Sequence, residues 1–469
     1  MRFSLSMVAA MFVAHSAMSE PLMLGPPMGA AWTAVYGLPP GKPDSFVPQA
    51  RTIGAKSTRL TLYWSQLEPA PQVRRWDELD AYLAQLGPAD EAVLTLASSS
   101  PWATQVSGWV FPSSPAKDPK AYYAFVRAVV EHAKGKIRFF QSDPEPNNPF
   151  YWSAGVDAFA AQQAIFYRAV KDADHAALVV LGGCDGLFDP AGKDPLPHQD
   201  NTLSFYSALI AKTAGSYDVF DLRLYANPYT IPDRVAWVRH EMEKHGGLKP
   251  IVATEYDGPA FFDFHSNRRF ASLLMAPGAG PAAVHQLRQM PDLPPQTRMF
   301  LPDAPPELAT RLLTLATEDL VVRNLMALAS GVQKTMFWDI WHQSDPGTPN
   351  DLFYGRYRLL ERTSDGRLVP GSLAKPFAAL AARLSDAVAA ERIVDAAQPD
   401  LYVIRIDRAA RRPLFVAWVR PNMLGDAAGP RTLTGSWLHG NRRVSSLNGS
   451  AIREPDGVIR VSATPVFIE

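Results

Sequence analysis

Cysteine is nearly missing from this chain: Cys184 stands alone among 469 residues. No internal disulfide can form, and no Cys/His cluster has the spacing of a zinc site. Cys184 sits in a GGCDG setting after an apolar run, where it reads as a small buried hydrophobe and not as a reactive thiol. An excess of one charge is missing as well. Lys plus Arg and Asp plus Glu number 46 each and are interspersed, so neither nucleic acid nor an anionic membrane surface meets a matching face. A neutral polymer or small molecule is the easier partner, and no metal or cofactor is called for. Beyond the N-terminus no apolar run is long enough for a membrane helix, and there is neither an internal repeat nor a low-complexity tract.

The N-terminus itself, MRFSLSMVAAMFVAHSAMSEP, has one early arginine, an apolar stretch too short to span a bilayer, and small residues around Ser16 to Ser19. That pattern predicts a signal peptide over residues 1–19, cleaved near Ala17 to Glu20, and hence a periplasmic or secreted protein.

What is present is apolar material for more than one core. Hydrophobic residues make up 47% of the sequence, which at this length suggests a large domain and a smaller one. Strand candidates at 28–33, 57–64, 92–96, 137–141, 177–181, 220–225, 251–255 and 334–341 alternate with helical spacing, as in WDELDAYLAQL and in the run opened by Asp118-Pro119. Eight strands alternating with helices predict a closed (β/α)8 TIM barrel over residues 20–388, since parallel strands need crossover helices and closure removes both edges. From about Ala390 the texture changes to short segments such as LYVIRIDR, PLFVAWVR and PVFIE, separated by turn formers. These predict a small all-β, sandwich-like domain over 389–469. The stretch 260–306 is too long and too rich in Pro, Phe and Met for an ordinary loop, so it is expected to wall the cleft, to act as a lid, or to be a surface insertion with its own packing.

Two strands end on glutamates. FFQSDPEPNN carries Glu145 between two prolines, and IVATEYDGP carries Glu255 at the end of the seventh strand. A barrel places its chemistry at the C-terminal ends of its strands, so these carboxyls would share one mouth. Cleaving a glycosidic bond takes two carboxyl groups with unequal pKa values, and Asp143, two residues before Glu145, is placed to raise it by like-charge proximity.

The runs STRLTLYWSQLEP, RRWDELDAYL and VLTLASSSPWA, Glu145 followed by Pro146-Asn147, then VATEY and MFWDIW, together resemble glycoside hydrolase clan A, and most of all its family 39, over roughly residues 28 to 385. The resemblance implies a retaining double displacement with Glu145 as acid/base and Glu255 as nucleophile. It also implies that Arg59 lies beneath the nucleophile and holds it ionised, that Tyr225 hydrogen-bonds it, and that Trp338 stacks on a sugar ring. Trp64, Trp102, Tyr256 and Trp341 are sugar-contact candidates of the same kind. The chain departs from the pattern at Pro144, where the family has an asparagine for the sugar 2-hydroxyl; Asn147, Asn148 or Gln141 would have to supply that contact. It departs again at Arg223, where the family usually has histidine, and an extra cation there suggests an unusual, even acidic, sugar. Two other readings stay open: a barrel that binds glycans without turnover, for which Pro144 is the main argument, and a transglycosylase using the same covalent intermediate.

Overall fold

The computed structural model describes residues 22, 24–32, 46–185, 189–190, 199–341, 347–354, 357–365, 367–435, 438, 442–453 and 458–469. The expected signal peptide and Thr33, the last residue of the first expected strand, lie outside them.

Eight parallel strands close into a barrel in sequence order: β1 Met28–Trp32, β2 Ser57–Tyr63, β3 Glu91–Ala97, β4 Phe139–Gln141, β5 Leu178–Leu181, β6 Val219–Asp221, β7 Ile251–Tyr256 and β8 Val332–Trp338. The expected (β/α)8 barrel is therefore observed, with strand ends shifted by a few residues. Closure is carried by β1 against β8, where Met28 pairs with Thr335 and Ala31 with Trp338. Alternation along each strand sends one set of side chains outward to the helices and the other into the barrel. The inward set has two storeys. Ala31, Val93, Phe139, Val180, Val219, Val252 and Met336 make an apolar layer low in the barrel. Above it, towards the C-terminal ends of the strands, lie Arg59, Thr95, Gln141, Asp221, Arg223 and Glu255, all buried.

The helices follow from their patterns. Asp118 caps Pro119–Ala133 by accepting a hydrogen bond from the Lys120 N–H at 2.9 Å, and Pro119 occupies the first turn, where no backbone donor is required. Val156–Ala173 buries Phe159, Phe166 and Val170 on one face. The last crossover helix, Pro306–Ala329, is the longest, and its C-terminal half is buried nearly all round. No helix among the described residues is long and apolar enough to cross a membrane.

Close approach decides the end of β5. A Cβ on Gly182 would lie 2.1 Å from the Asp143 carbonyl oxygen, and the next carbonyl, Gly183, accepts a hydrogen bond from the Glu145 N–H at 2.8 Å. The backbone leaving β4 thus rests directly on that leaving β5. Gly182→Ala is expected to cost about 1–3 kcal/mol, as overpacking does when neither neighbour is a flexible side chain; an unaltered unfolding midpoint would mean that the two backbones can part.

The segment 260–306 is neither a loop nor extended. It contains the short helical pieces Phe261–Asp263, His265–Phe270, Ala271–Leu274, Pro281–Arg288 and Pro295–Arg298. Phe261, Phe264 and Phe300 pack edge to face with centroids 5.3 and 5.6 Å apart, and the buried Asn267 accepts from the Thr297 hydroxyl at 2.6 Å. Its buried side chains, among them Phe261, Phe264, Leu287 and Phe300, are continuous with the main hydrophobic core, so the segment is packed onto the barrel.

The C-terminal part forms a five-stranded antiparallel sheet in the spatial order 387–393, 401–408, 414–419, 466–468, 444–445, with a two-stranded pair, 431–432 and 460–461, beside it. This is the expected all-β unit. It leans on the barrel: the Trp418 indole N–H donates to the Tyr229 hydroxyl at 3.0 Å, the Thr464 hydroxyl donates to Glu318 at 2.5 Å, and Arg311 donates to the Gly425 carbonyl.

Candidate active site

Glu145 lies four residues beyond the end of β4, in the left-handed backbone region with φ +47°, and is 8% exposed. The turn is closed by its own neighbours. Its N–H is held by Gly183, its carbonyl accepts from the Asn148 N–H at 2.9 Å, and the Asn148 side-chain amide donates to its Oε2 at 3.2 Å. Burial pushes the carboxyl up to about 8, reinforced by the nearby Asp185 carboxylate and opposed by Arg223, Asn148 and Arg59. The like charge is thus Asp185 and not Asp143. Asp143 points the other way, accepting from the Ser98 N–H at 2.6 Å and the Ser98 hydroxyl at 2.7 Å. The expectation that Asp143 tunes Glu145 is corrected on that ground.

Glu255 has the opposite surroundings. Arg59 Nη1 donates to its Oε1, Arg223 Nη1 makes an ion pair with the same oxygen, and the Tyr225 hydroxyl donates to Oε2 at 3.0 Å. Burial holds the Tyr225 phenol well above its ordinary range, so it remains a donor. Two cations and one hydroxyl therefore converge on one carboxylate. A register shift between β7 and β8 over Ala253–Tyr256 makes this possible: consecutive Thr254 and Glu255 both reach inward, Thr254 to Asp221 at 2.6 Å and Glu255 to the arginines.

Beneath both carboxyls runs one hydrogen-bonded layer. Arg59 Nε donates to Thr95 and to Gln141 Oε1 at 3.0 Å each, Gln141 Nε2 donates to Asp221 Oδ2 at 2.9 Å, and Asp221 lies 3.7 Å from Arg223 Nε. Burial, then the neighbouring Arg223, lowers Arg59 to about 9, whereas Asp221 and Glu145 outweigh burial and hold Arg223 above its usual value. Arg223 passes directly in front of Gly183, where a Cβ would lie 2.9 Å from its Nε. It stands against Glu255 and in the field of Glu145, and its nitrogens have essentially no surface of their own. The Arg223 guanidinium is thus directed at Glu255.

Of the other residues read from the sequence, Trp338 faces the barrel interior with its ring 5.1 Å from Tyr354 and keeps 9% of its surface exposed at the mouth. Trp102 is half-buried; its indole donates to the Glu68 carbonyl at 2.9 Å, and its ring packs edge-on to Trp64. Three expectations need correction. Trp64 is fully buried, stacked on Phe125 with centroids 5.0 Å apart, because it opens a short helix after β2 instead of ending the strand. Tyr256 points away from the barrel axis and accepts from Asn324 at 3.0 Å; Trp341 packs 5.9 Å from Trp32, also in the core. Asn147 turns from Glu145 and pairs with the Asp185 backbone, donating to its carbonyl at 2.6 Å and accepting from its N–H at 2.8 Å. Asn148 takes the place beside Glu145, bridging it to Asp185 Oδ2 at 2.9 Å. Cys184 is fully buried, with its thiol pushed up by burial. Among the described residues no group of His, Cys, Asp or Glu could hold a metal.

No family model and no curated protein sequence matches this chain. Solved structures do. A family 39 glycoside hydrolase from the gut symbiont Bacteroides cellulosilyticus WH2 superposes with a TM-score of 0.60 at 12% identity, over 95% of this chain and 80% of that one. A monomeric β-xylosidase from Caulobacter crescentus CB15 gives 0.57 at 14% identity over 95% of both chains. AbfB, a family 51 α-L-arabinofuranosidase from Bifidobacterium longum, gives 0.53 at 13% over 96% of both. The structures this chain resembles are thus family 39 enzymes and other clan A glycoside hydrolases, and at these identities the likeness is one of fold.

Proposed function

We propose that the protein is a retaining glycoside hydrolase with Glu145 as acid/base and Glu255 as nucleophile. The observation that carries this reading is the contrast between the two carboxyls: one buried, raised to about 8 and so protonated at neutral pH, the other ion-paired with two arginines. In the first step a Glu255 oxygen bonds to the anomeric carbon while the bond from that carbon to the leaving oxygen breaks, and the Glu145 proton passes to the leaving oxygen. Oε1 is occupied by both guanidiniums, so Oε2, with only the Tyr225 hydroxyl, has the freer lone pairs and attacks. In the second step Glu145, now ionised, takes a proton from water as the water oxygen displaces the Glu255 ester. Arg59 and Arg223 ease the loss of the Glu145 proton, and Asp185 and burial favour its return.

The similar structures include a β-xylosidase and an α-L-arabinofuranosidase, so pentosides head the substrates to try. Trapping with activated 2-deoxy-2-fluoro glycosides of these sugars is expected to place the label on the peptide containing Glu255, read by mass spectrometry; a label on any other peptide overturns the assignment. Pro144 favours a second reading, a glycan-binding barrel without turnover, because nothing at that position can donate to a 2-hydroxyl. That reading requires sugar binding without hydrolysis in the unaltered protein. The leader-like N-terminus leads us to place the activity outside the cytoplasm, where the mature protein would begin near residue 20.

A further inference from the structure

Past Asp221 the β6 strand loses its regular pairing, yet residues 222–226 carry both Arg223 and Tyr225 to Glu255. The segment keeps two bonds to β7: the Leu222 N–H donates to Val252 at 2.8 Å, and the Leu224 N–H donates to the carbonyl of Glu255 itself at 3.1 Å. The four successive carbonyls of residues 223 to 226 are held by two buried arginines from different helices. Arg234, on Ile231–Lys244, donates from Nη1 to the Arg223 carbonyl at 3.2 Å and from Nη2 to the Tyr225 carbonyl at 3.0 Å. Arg323, on Pro306–Ala329, donates from Nη1 to the carbonyls of Leu224 and Ala226 at 2.6 Å each. The remaining face of Arg323 is fixed by Asp319, Nε to Oδ2 at 2.8 Å and Nη2 to Oδ1 at 2.7 Å, a bidentate pair with Asp257 and Asp263 also in its field. The grip holds the chain through Ala226, a non-glycine residue at φ +63°. Gly258 leaves room for it, since a Cβ there would lie 2.4 Å from Arg323 Nη2.

We propose that Arg323 and Arg234 are positioning residues that set the contact of Tyr225 and Arg223 with Glu255 by fixing the backbone at 223–226. The proposal rests on the glycosidase reading for its effect on rate, but not for its effect on the contact. Lysine at 323 keeps the charge beside Asp319 yet cannot present one nitrogen to two carbonyls while engaging both Asp319 oxygens. The test places 3-fluorotyrosine at 225 in the full chain and compares Arg323→Lys with the unaltered residue by ¹⁹F NMR. The neutral pair Arg323→Gln with Asp319→Asn serves as a second variant should the first fail to fold. The expected result is a displaced ¹⁹F resonance and, in turnover assays on an aryl glycoside, an acid limb of kcat/KM moved upward by about one pH unit, the loss of roughly one hydrogen bond to the ionised nucleophile. In a Tyr225→Phe background the same change should move the limb much less. A folded variant with an unmoved ¹⁹F resonance overturns the proposal and leaves the arginines merely structural, as does an undiminished limb shift in the Tyr225→Phe background. Failure of the unaltered protein to turn over any glycoside counts against the glycosidase reading alone, and the ¹⁹F comparison still decides the clamp.

Discussion

Glu255→Gly is expected to lower kcat/KM by about 10⁴-fold or more, the scale seen when a covalent nucleophile is removed from a preassembled site. The loss should be chemical and not conformational, because Arg59 and Arg223 are each held by other partners: Arg59 by Thr95 and Gln141, Arg223 beside Asp221. What remains after the substitution is a cavity with two guanidiniums and a phenol facing it. A small anion fits that description better than water does. Added azide or formate should therefore restore turnover of an activated glycoside, and azide should yield a glycosyl azide of inverted configuration, identifiable by NMR. Glu255→Gln should show no rescue, since the amide fills the space the anion needs. Full activity in either variant would remove Glu255 from the reaction.

Glu145→Ala should lose about 10²–10⁴-fold, the range of general acid catalysis, and the loss should depend on the leaving group. A dinitrophenyl glycoside departs without protonation, so its first step is spared and the covalent intermediate accumulates; an alkyl or sugar leaving group exposes the full deficit. The pH profile separates the roles further. Glu145 must carry its proton for the first step, and that proton is held up to about 8, so kcat/KM of the unaltered protein is expected to be flat through neutrality and to fall as pH rises through about 8. In Glu145→Ala that basic limb should vanish. Persistence of the limb would assign it to another group and sink the acid/base role of Glu145.

Much of the scaffold was legible because it depends on patterns that do not need neighbours. Alternating apolar strands and capped helices, such as the one opened by Asp118-Pro119, specify a closed parallel barrel, and the change of texture near Ala390 marks the sheet. Glu145 and Glu255 are legible because each follows directly on an apolar strand, whereas Arg59 and Tyr225 are expected only from the resemblance to clan A; the structure brings both against Glu255. The misreadings have a common origin in backbone direction. Trp64 reads from the sequence as the end of a strand, but the chain turns into a helix at that residue and carries its ring into the core. Asn147 and Asn148 differ by one position, and only the turn after Glu145 decides which faces the carboxyl. Asp143 and Asp185 could not be told apart as neighbours of Glu145 because the second is 40 positions away in sequence. Arg234 and Arg323 gave no signal, since a buried arginine on a helix looks like a surface one until its carbonyl partners are known.

The helix Pro306–Ala329 joins two things that a domain diagram separates. Arg311 and Glu318 reach Gly425 and Thr464 of the C-terminal domain, while Arg323, held by Asp319, reaches the backbone that carries Tyr225. Tyr229, just past that backbone, is itself roofed by Tyr402 and Trp418 of the sheet. In mechanical terms the sheet is a buttress for the barrel. Replacing the sheet with another domain would therefore also remove packing from the helix and the tyrosine that stand behind the backbone at 223–226.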